Sequence, residues 1–227
     1  MLILPAITTT RNARWRDKIE EAKKLGLTET ALFVSAIPRE ERLELYERLK
    51  ETKIASIPFV HLRSDMDPDE IQYLIDQYGV RAMNIHSQKE YPLTYDLSRF
   101  KEMIYLENTT HSIIDEADQW AGLCLDTSHL ENNRLGLHYG FLFDEIIGLM
   151  ENHSVGAWHL NVIEPQPHIS SCSKLVSRAR HYFTDLIDFD YCLRYKKYLP
   201  QHCIALELEN PLAEQLKAKE YIEKLLN

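Results

Sequence analysis

Glycine is scarce in this chain of 227 residues, with only 7. That scarcity argues against glycine-rich loops cradling phosphates. No GxGxxG turn, Walker loop, GxSxG elbow or HExxH helix occurs. Basic residues are in deficit: 26 Lys and Arg against 35 Asp and Glu leave a net charge of −9. A broad cationic surface tracking phosphodiesters is therefore disfavoured, while net charge says nothing about a local cationic cleft. The 4 cysteines, Cys124, Cys172, Cys192 and Cys203, form no CxxC pair and read as buried, reduced thiols of a cytoplasmic protein. No apolar run approaches the ~20 residues of a membrane span. The opening MLILPAITTTR is too short, and lacks the basic flank, for a signal peptide, so the expectation is a cytoplasmic protein without a membrane partner. With 44% hydrophobic and 27% charged residues the chain is neither disordered, collagen-like nor a disulfide scaffold. Its length suits one domain over residues 1–227.

What the chain has in plenty is short runs rich in Ile, Val and Leu. They are Leu2 to Ile7, Ala31 to Ile37, Ile54 to Val60, Arg81 to Ile85, Met103 to Leu106, Gly122 to Leu125, Val155 to Leu160 and Cys203 to Leu208. Stretches with helical periodicity follow them: Trp15, Ile19 and Ala22 make one apolar stripe, and Pro38 suits the first turn of a helix carrying Leu45 and Leu49. Asn210 can cap a last helix beginning at Pro211, with Leu212, Leu216, Ile222 and Leu225 on its buried side. Near-continuously apolar strands alternating with helices, without hairpin turns, predict a parallel sheet covered on both faces. Eight of them close naturally into a compact (β/α)8 barrel, a TIM barrel of the α/β class; an open doubly wound sheet is the runner-up. The one long loop is expected from Asn161 to about Ser177.

In such a barrel the C-terminal strand ends carry the chemistry. Here IPFV ends at His61, AMNI at His86, MIYL at Glu107, GLCL at Asp126 with His129 one turn on, GAW at His159 and CIAL at Glu207. Residues two apart share a face of a strand, so an inward Glu107 brings Tyr105 and Thr109 inward and sends Leu106 outward. The same parity groups Asp126 with Cys124, His159 with Ala157 and Glu207 with Ala205. Unpaired carboxylates converging in a barrel mouth would cost several kcal/mol each unless cations neutralised them. Imidazoles beside them suit zinc foremost, with manganese or iron as alternatives, rather than calcium or magnesium. Each residue has a bland reading too: Asp126 as a helix cap, Glu107 as an acid at a helix start, a lone His as a satisfied structural group. It is the agreement of six strand ends that favours a metal centre.

Other residues carry weaker signals. His111, His138, His153, His181 and His202 fall in helical stretches or just before a strand, where solvated or capping roles are the default. His168, in EPQPHIS, belongs to the long loop on the active face. Lys174, Arg178 and Arg180 stand at helical spacing; Lys174 and Arg178, with Arg63 and Arg134 just after strand ends, are the candidates for binding a substrate anion.

With these residues placed, the sequence resembles the xylose isomerase-like TIM barrels, and the type-IV apurinic endonucleases most closely. The resemblance covers nearly the whole chain. LCLDTSH looks like that family's Asp-x-x-His motif, WHLN like its His-Leu-Asn, and MIYLENT and IALELEN like the strands delivering its two metal glutamates. The resemblance implies that Glu107 bridges two metals, with His61 and His86 completing one site and Asp126, His159 and Glu207 the other. A third site would use His129 and His168, but Gln166 stands where that family has an Asp. Two or more divalent metals per chain are thus implied.

The expected function is hydrolysis of a phosphoester, in a small phosphorylated molecule or in damaged DNA, with Glu107 and Glu207 as the catalytic acids. The alternative is an aldose-ketose isomerase or epimerase of a sugar substrate, in which Glu107 and Glu207 exchange a proton beside a carbonyl. The superfamily's sugar enzymes usually carry an Arg soon after the His of WHLN, where this chain has Asn161, Val162, Ile163 and Glu164. A binding protein that kept the barrel and lost the chemistry is the third reading.

Overall fold

The structure, a computed structural model, describes residues 1–10, 12–170 and 174–227. Its main sheet is built from β1 (Ile3–Leu4), β2 (Ala6–Thr8), β3 (Ala31–Phe33), β4 (Phe59–His61), β5 (Ala82–Ile85), β6 (Ile104–Glu107), β7 (Gly122–Asp126), β8 (Val155–Leu160) and β11 (Cys203–Leu206). Every pairing in it is parallel, in the order β1-β11-β8-β7-β6-β5-β4-β3-β2. β1 and β2 are two halves of one segment interrupted by Pro5, which has no N–H to give to a ladder. One half pairs with β11 and the other with β3, so the sheet closes into the eight-position barrel that the sequence predicts. Gln215 bridges the break: its Oε1 accepts the Ala6 N–H at 2.7 Å and its Nε2 donates to the Ala6 carbonyl at 3.2 Å.

Among the described residues six α-helices cover the sheet: α1 (Trp15–Leu25), α2 (Arg39–Leu49), α3 (Pro68–Tyr78), α4 (Thr127–Arg134), α5 (Gly140–Asn152) and α6 (Leu212–Leu226). Asp67 caps α3 through the N–H groups of Asp69 and Glu70, Pro68 occupies its first turn, and Gly79 ends it at φ 67°, a left-handed position where glycine carries no Cβ penalty. The outer apolar layer joins strands to helices, with Leu32, Val60, Leu106, Leu125 and Trp158 facing outward. The barrel interior holds a second cluster, Leu4, Ala6, Ala31, Phe33, Phe59, Ala82, Tyr105, Cys124, Ala157, Cys203 and Ala205, as the strand parity predicts. Small residues make room there for Phe33, Phe59 and Tyr105. Gly156 lies so close to the Tyr105 ring that a Cβ at that position would overlap it.

Four expectations need correction. The links from β5 to β6 and from β6 to β7 carry only 3-10 turns, Ser98–Phe100 and Ala117–Gln119, in place of helices. The run from Ile54 narrows to Phe59–His61, and that from Ala31 to Ala31–Phe33. The supposed loop from Asn161 is an antiparallel hairpin, β9 (Val162–Ile169) with β10 (Val176–Arg180). Its register shifts between Ser177 and Ala179, opposite the stretch holding Pro165 and Pro167, so the prolines fall where the ladder is already interrupted. Arg178 and Arg180 consequently follow strand alternation, not helical spacing. The long segment Leu186–Tyr198 is a 3-10 helix. Cys124, Cys192 and Cys203 are buried and free; Cys172 lies outside the described residues. Among the described residues no helix is long and apolar enough to cross a membrane.

Candidate metal centre

Glu107, at the end of β6, is 3% exposed and stands at the middle of the barrel mouth. Its Oε2 is 3.1 Å from Nε2 of His61, 3.5 Å from Nε2 of His86 and 3.4 Å from Nδ1 of His159. Asn84, buried next to these groups on β5, donates to the same oxygen at 2.5 Å. Two sets of three donors have their ligand atoms within 4.8 Å of one another: His61, His86 and Glu107, and Glu107, Asp126 and His159. Glu107 belongs to both.

Each donor is aimed by its surroundings. Nδ1 of His61 donates to the Leu62 carbonyl at 2.9 Å, which leaves Nε2 with its lone pair toward the centre. The His86 ring stands edge-on to His61 with centroids 4.8 Å apart, and the loop after it is anchored by Glu116, which accepts from Ser87 Oγ at 2.5 Å and from the Gln88 N–H at 2.9 Å. His159 stacks on His61 and rests on Phe33 and Phe59, at centroid distances of 5.2, 4.9 and 5.5 Å. Asp126 both caps a helix and faces the mouth. Its Oδ1 accepts from the Ser128 N–H, Ser128 Oγ and the His129 N–H at 2.8, 2.7 and 2.9 Å, fixing the first turn of α4. Asn108 clamps its backbone on both sides, at 2.9 and 2.8 Å.

The electrostatics favour an anionic Glu107. Burial pushes its carboxyl up, but His159, His86 and His61 outweigh burial and hold it well below the usual carboxylate range. Burial drives His61 down and would do the same to His86 and His159, yet Glu107 lifts His86, and Cys124 with Glu107 lifts His159 well above the imidazole range. Both ring nitrogens of His159 and Oδ1 of Asn84 are buried without a hydrogen-bond partner. Unpartnered imidazole nitrogens beside buried carboxylates are what a divalent cation satisfies, so the donor set fits a metal of the zinc, manganese or iron type.

The remaining candidates are placed differently. Glu207 joins neither triad; its Oε2 is 3.4 Å from Nε2 of His181. Burial raises the Glu207 carboxyl and His181 lowers it further, to about 2, while that carboxylate lifts His181 against burial to about 9. His129 has Nε2 at 3.9 Å from Oδ2 of Asp126 and its Nδ1 buried and unpartnered. His168, on β9, has Nδ1 at 3.7 Å from Glu164. Among the described residues these two histidines do not meet in a donor group of three. Arg134 is engaged by Glu131 of its own helix at 2.9 and 2.7 Å, which takes it away from a substrate anion. Nε of Arg63 is 3.5 Å from Asp65. Arg178 keeps a buried Nε without a partner, and Lys174 stands exposed at φ 60° in the hairpin turn.

Asn84, Asn108 and His181 were not legible as parts of the site. Asn84 and His86 are two residues apart and share a strand face, a signal the alternation rule could have supplied. His181 had none, because the hairpin alone brings it back to the mouth.

No family model and no curated protein matches the chain. Among solved structures, it is similar to the probable 3-DHS dehydratase AsbF involved in petrobactin synthesis from Bacillus anthracis, at 13% identity and a TM-score of 0.51, over 100% of this chain and 99% of that one. It is also similar to a xylose isomerase-like TIM barrel protein from Mycobacterium smegmatis in complex with magnesium, at 11% identity and a TM-score of 0.49, over 99% and 96% of the two chains. At such identity the likeness to the AsbF structure is one of fold alone.

Proposed function

We propose that this chain is a metal-dependent hydrolase of phosphoester bonds, in which the donors around Glu107 would hold two divalent cations. The observation that carries this reading is the membership of Glu107 in both donor triads. His61 and His86 would hold one cation and Asp126 and His159 the other. Bound there, such a pair supplies Lewis acidity toward a phosphoryl oxygen and a water of lowered pKa. Glu207, kept ionised beside His181, would add a further carboxylate to the second cation's ligands. Arg63, Lys174 and Arg178 are the cationic side chains proposed to meet the substrate's anion. A net charge of −9 favours a small phosphorylated substrate over an extended stretch of damaged DNA.

One observation favours a second reading. Glu107 and Glu207 are two carboxylates in different surroundings at one mouth, which also suits proton exchange beside the carbonyl of a sugar, as in an isomerase or epimerase.

The deciding experiment counts metals after purification without chelator and assays turnover of bis(p-nitrophenyl) phosphate and of simple aldoses. Two metals per chain, with phosphodiester turnover abolished in Glu107→Gln, is the expected result. One metal with aldose isomerisation selects the second reading, and a Glu107→Gln protein with unchanged metal content and turnover overturns both.

A further inference from the structure

Glu90 and His111 stand in the two links that follow β5 and β6, on the mouth side of the barrel. Each lies four residues beyond a proposed metal ligand, His86 and Glu107. Oε2 of Glu90 accepts a 2.7 Å hydrogen bond from Oγ1 of Thr109 and is 3.5 Å from Nδ1 of His111. Thr109 is 6% exposed and lies two residues beyond Glu107, so its hydroxyl ties Glu90 to the mouth. The next residue, Tyr91, rests its ring on His86 with centroids 5.1 Å apart. Glu90 is therefore held from two sides. His111 itself is 54% exposed, and Oγ1 of Thr110 lies 3.3 Å from the same Nδ1. With Nδ1 turned toward Glu90 and Thr110, the ring presents Nε2 on its opposite edge. His111 reads as a solvated residue in the sequence because its partner comes from a different link of the barrel.

An imidazole with one nitrogen turned to a fixed carboxylate and the other open at the mouth is arranged for proton transfer. We propose that His111 is the general acid of the phosphoester hydrolysis, with Glu90 as its positioning residue. The inference rests on the hydrolase reading above and adds the class of ester: one whose leaving oxygen is too basic to depart without a proton, as in an alkyl or sugar phosphoester. In its charged form His111 carries a proton on both ring nitrogens, and Nε2–H is the one turned away from Glu90. In the step itself a water oxygen bonds to phosphorus and the bond from phosphorus to the leaving oxygen breaks. The electron pair stays on that oxygen, which takes the Nε2 proton. The exposed imidazole then recovers a proton from bulk water, and the proton shed by the attacking water goes to solvent.

Dependence on the leaving group separates an acid from a residue that only binds or supports. Bis(p-nitrophenyl) phosphate expels a weakly basic phenolate, and diphenyl phosphate a more basic one that gains more from a proton. Both are assayed with the metal-loaded full-length protein, His111→Gln and Glu90→Gln, and metal content is measured in parallel. Neither residue belongs to the apolar core, so the variants keep the fold. His111→Gln should lose about a hundredfold more kcat on diphenyl phosphate than on bis(p-nitrophenyl) phosphate, at unchanged metal content. Glu90→Gln, which still accepts from Thr109, should show the same preference at about tenfold, in kcat and not in KM. Equal losses on the two esters overturn the acid role and leave the hydrolase standing. An unaltered protein that cleaves bis(p-nitrophenyl) phosphate but not diphenyl phosphate has no working acid and overturns it as well. If no protein turns over either ester, the hydrolase reading itself falls, and this inference with it.

Discussion

Nδ2 of Asn84 donates a 2.5 Å hydrogen bond to Oε2 of Glu107, the same oxygen that faces His61, His86 and His159. Asn84 is wholly buried, and its Oδ1 has no partner. Its cost in desolvation is recovered only if it does something for Glu107, and what it does is fix the rotation of a carboxylate that both donor triads share. A neutral donor is the right choice there: it orients the carboxylate without the charge of a Lys or Arg, which would repel cations.

Replacing Asn84 by Ala should therefore weaken metal binding about tenfold, the low end for the loss of a residue that orients a ligand. Competition with a coloured chelator at fixed pH measures it. An affinity equal to that of the unaltered protein would make Asn84 a structural filler only.

Asp126 separates two roles that one side chain combines. Its Oδ1 caps α4, while the carboxylate belongs to the triad with Glu107 and His159. Asparagine caps a helix as well as aspartate does, so Asp126→Asn should leave thermal stability within a few tenths of a kcal/mol and reduce metal content by about one ion per chain. Asp126→Ala should lose the ion and, in addition, about 1 kcal/mol of stability. Equal unfolding midpoints for the two variants would remove the capping role.

Strand ends were legible because barrel physics makes them so. A fully buried parallel strand needs an apolar run, and the first polar residue beyond it must emerge at the mouth; hence His61, Glu107 and Asp126 could be placed from sequence alone. Parity then put Tyr105, Cys124, Ala157 and Ala205 in the interior, where the structure has them. The hairpin escaped because Pro165 and Pro167 read as loop residues, and only the register shift opposite them shows how a ladder accommodates both. His181 escaped for a linked reason: its meeting with Glu207 depends on a pairing between β9 and β10 that no local pattern announces. The two missing crossover helices follow the same logic, since short 3-10 turns leave no 3.6-residue stripe to contradict a helical reading.

Lys18 offers a test at the opposite side of the same strand end. It is 2% exposed on α1, and its Nζ donates at 2.8 Å to the carbonyls of Leu208 and Asn210, the backbone immediately beyond Glu207. Burial outweighs the pull of Glu21 and Glu209 and brings its pKa down from 10.5 to about 8. The sign follows from which state holds the proton. Between pH about 8 and 10.5 the unfolded chain keeps a proton on Lys18 that the native chain has released, so this group's contribution makes stability rise with pH across that window and level off above it. The slope approaches about 1.4 kcal/mol per pH unit, and the whole window amounts to roughly 3 kcal/mol. Tyrosines and cysteines also titrate at alkaline pH, so the quantity to follow is the difference in urea unfolding free energy between the unaltered protein and Lys18→Met. That difference should grow in favour of the unaltered protein as pH rises from 8 to 10.5, because the neutral amine still donates to both carbonyls while no longer opposing burial. A difference that stays flat, or shrinks, would mean that Lys18 keeps its charge in the fold and that its two carbonyl partners solvate it as well as water does.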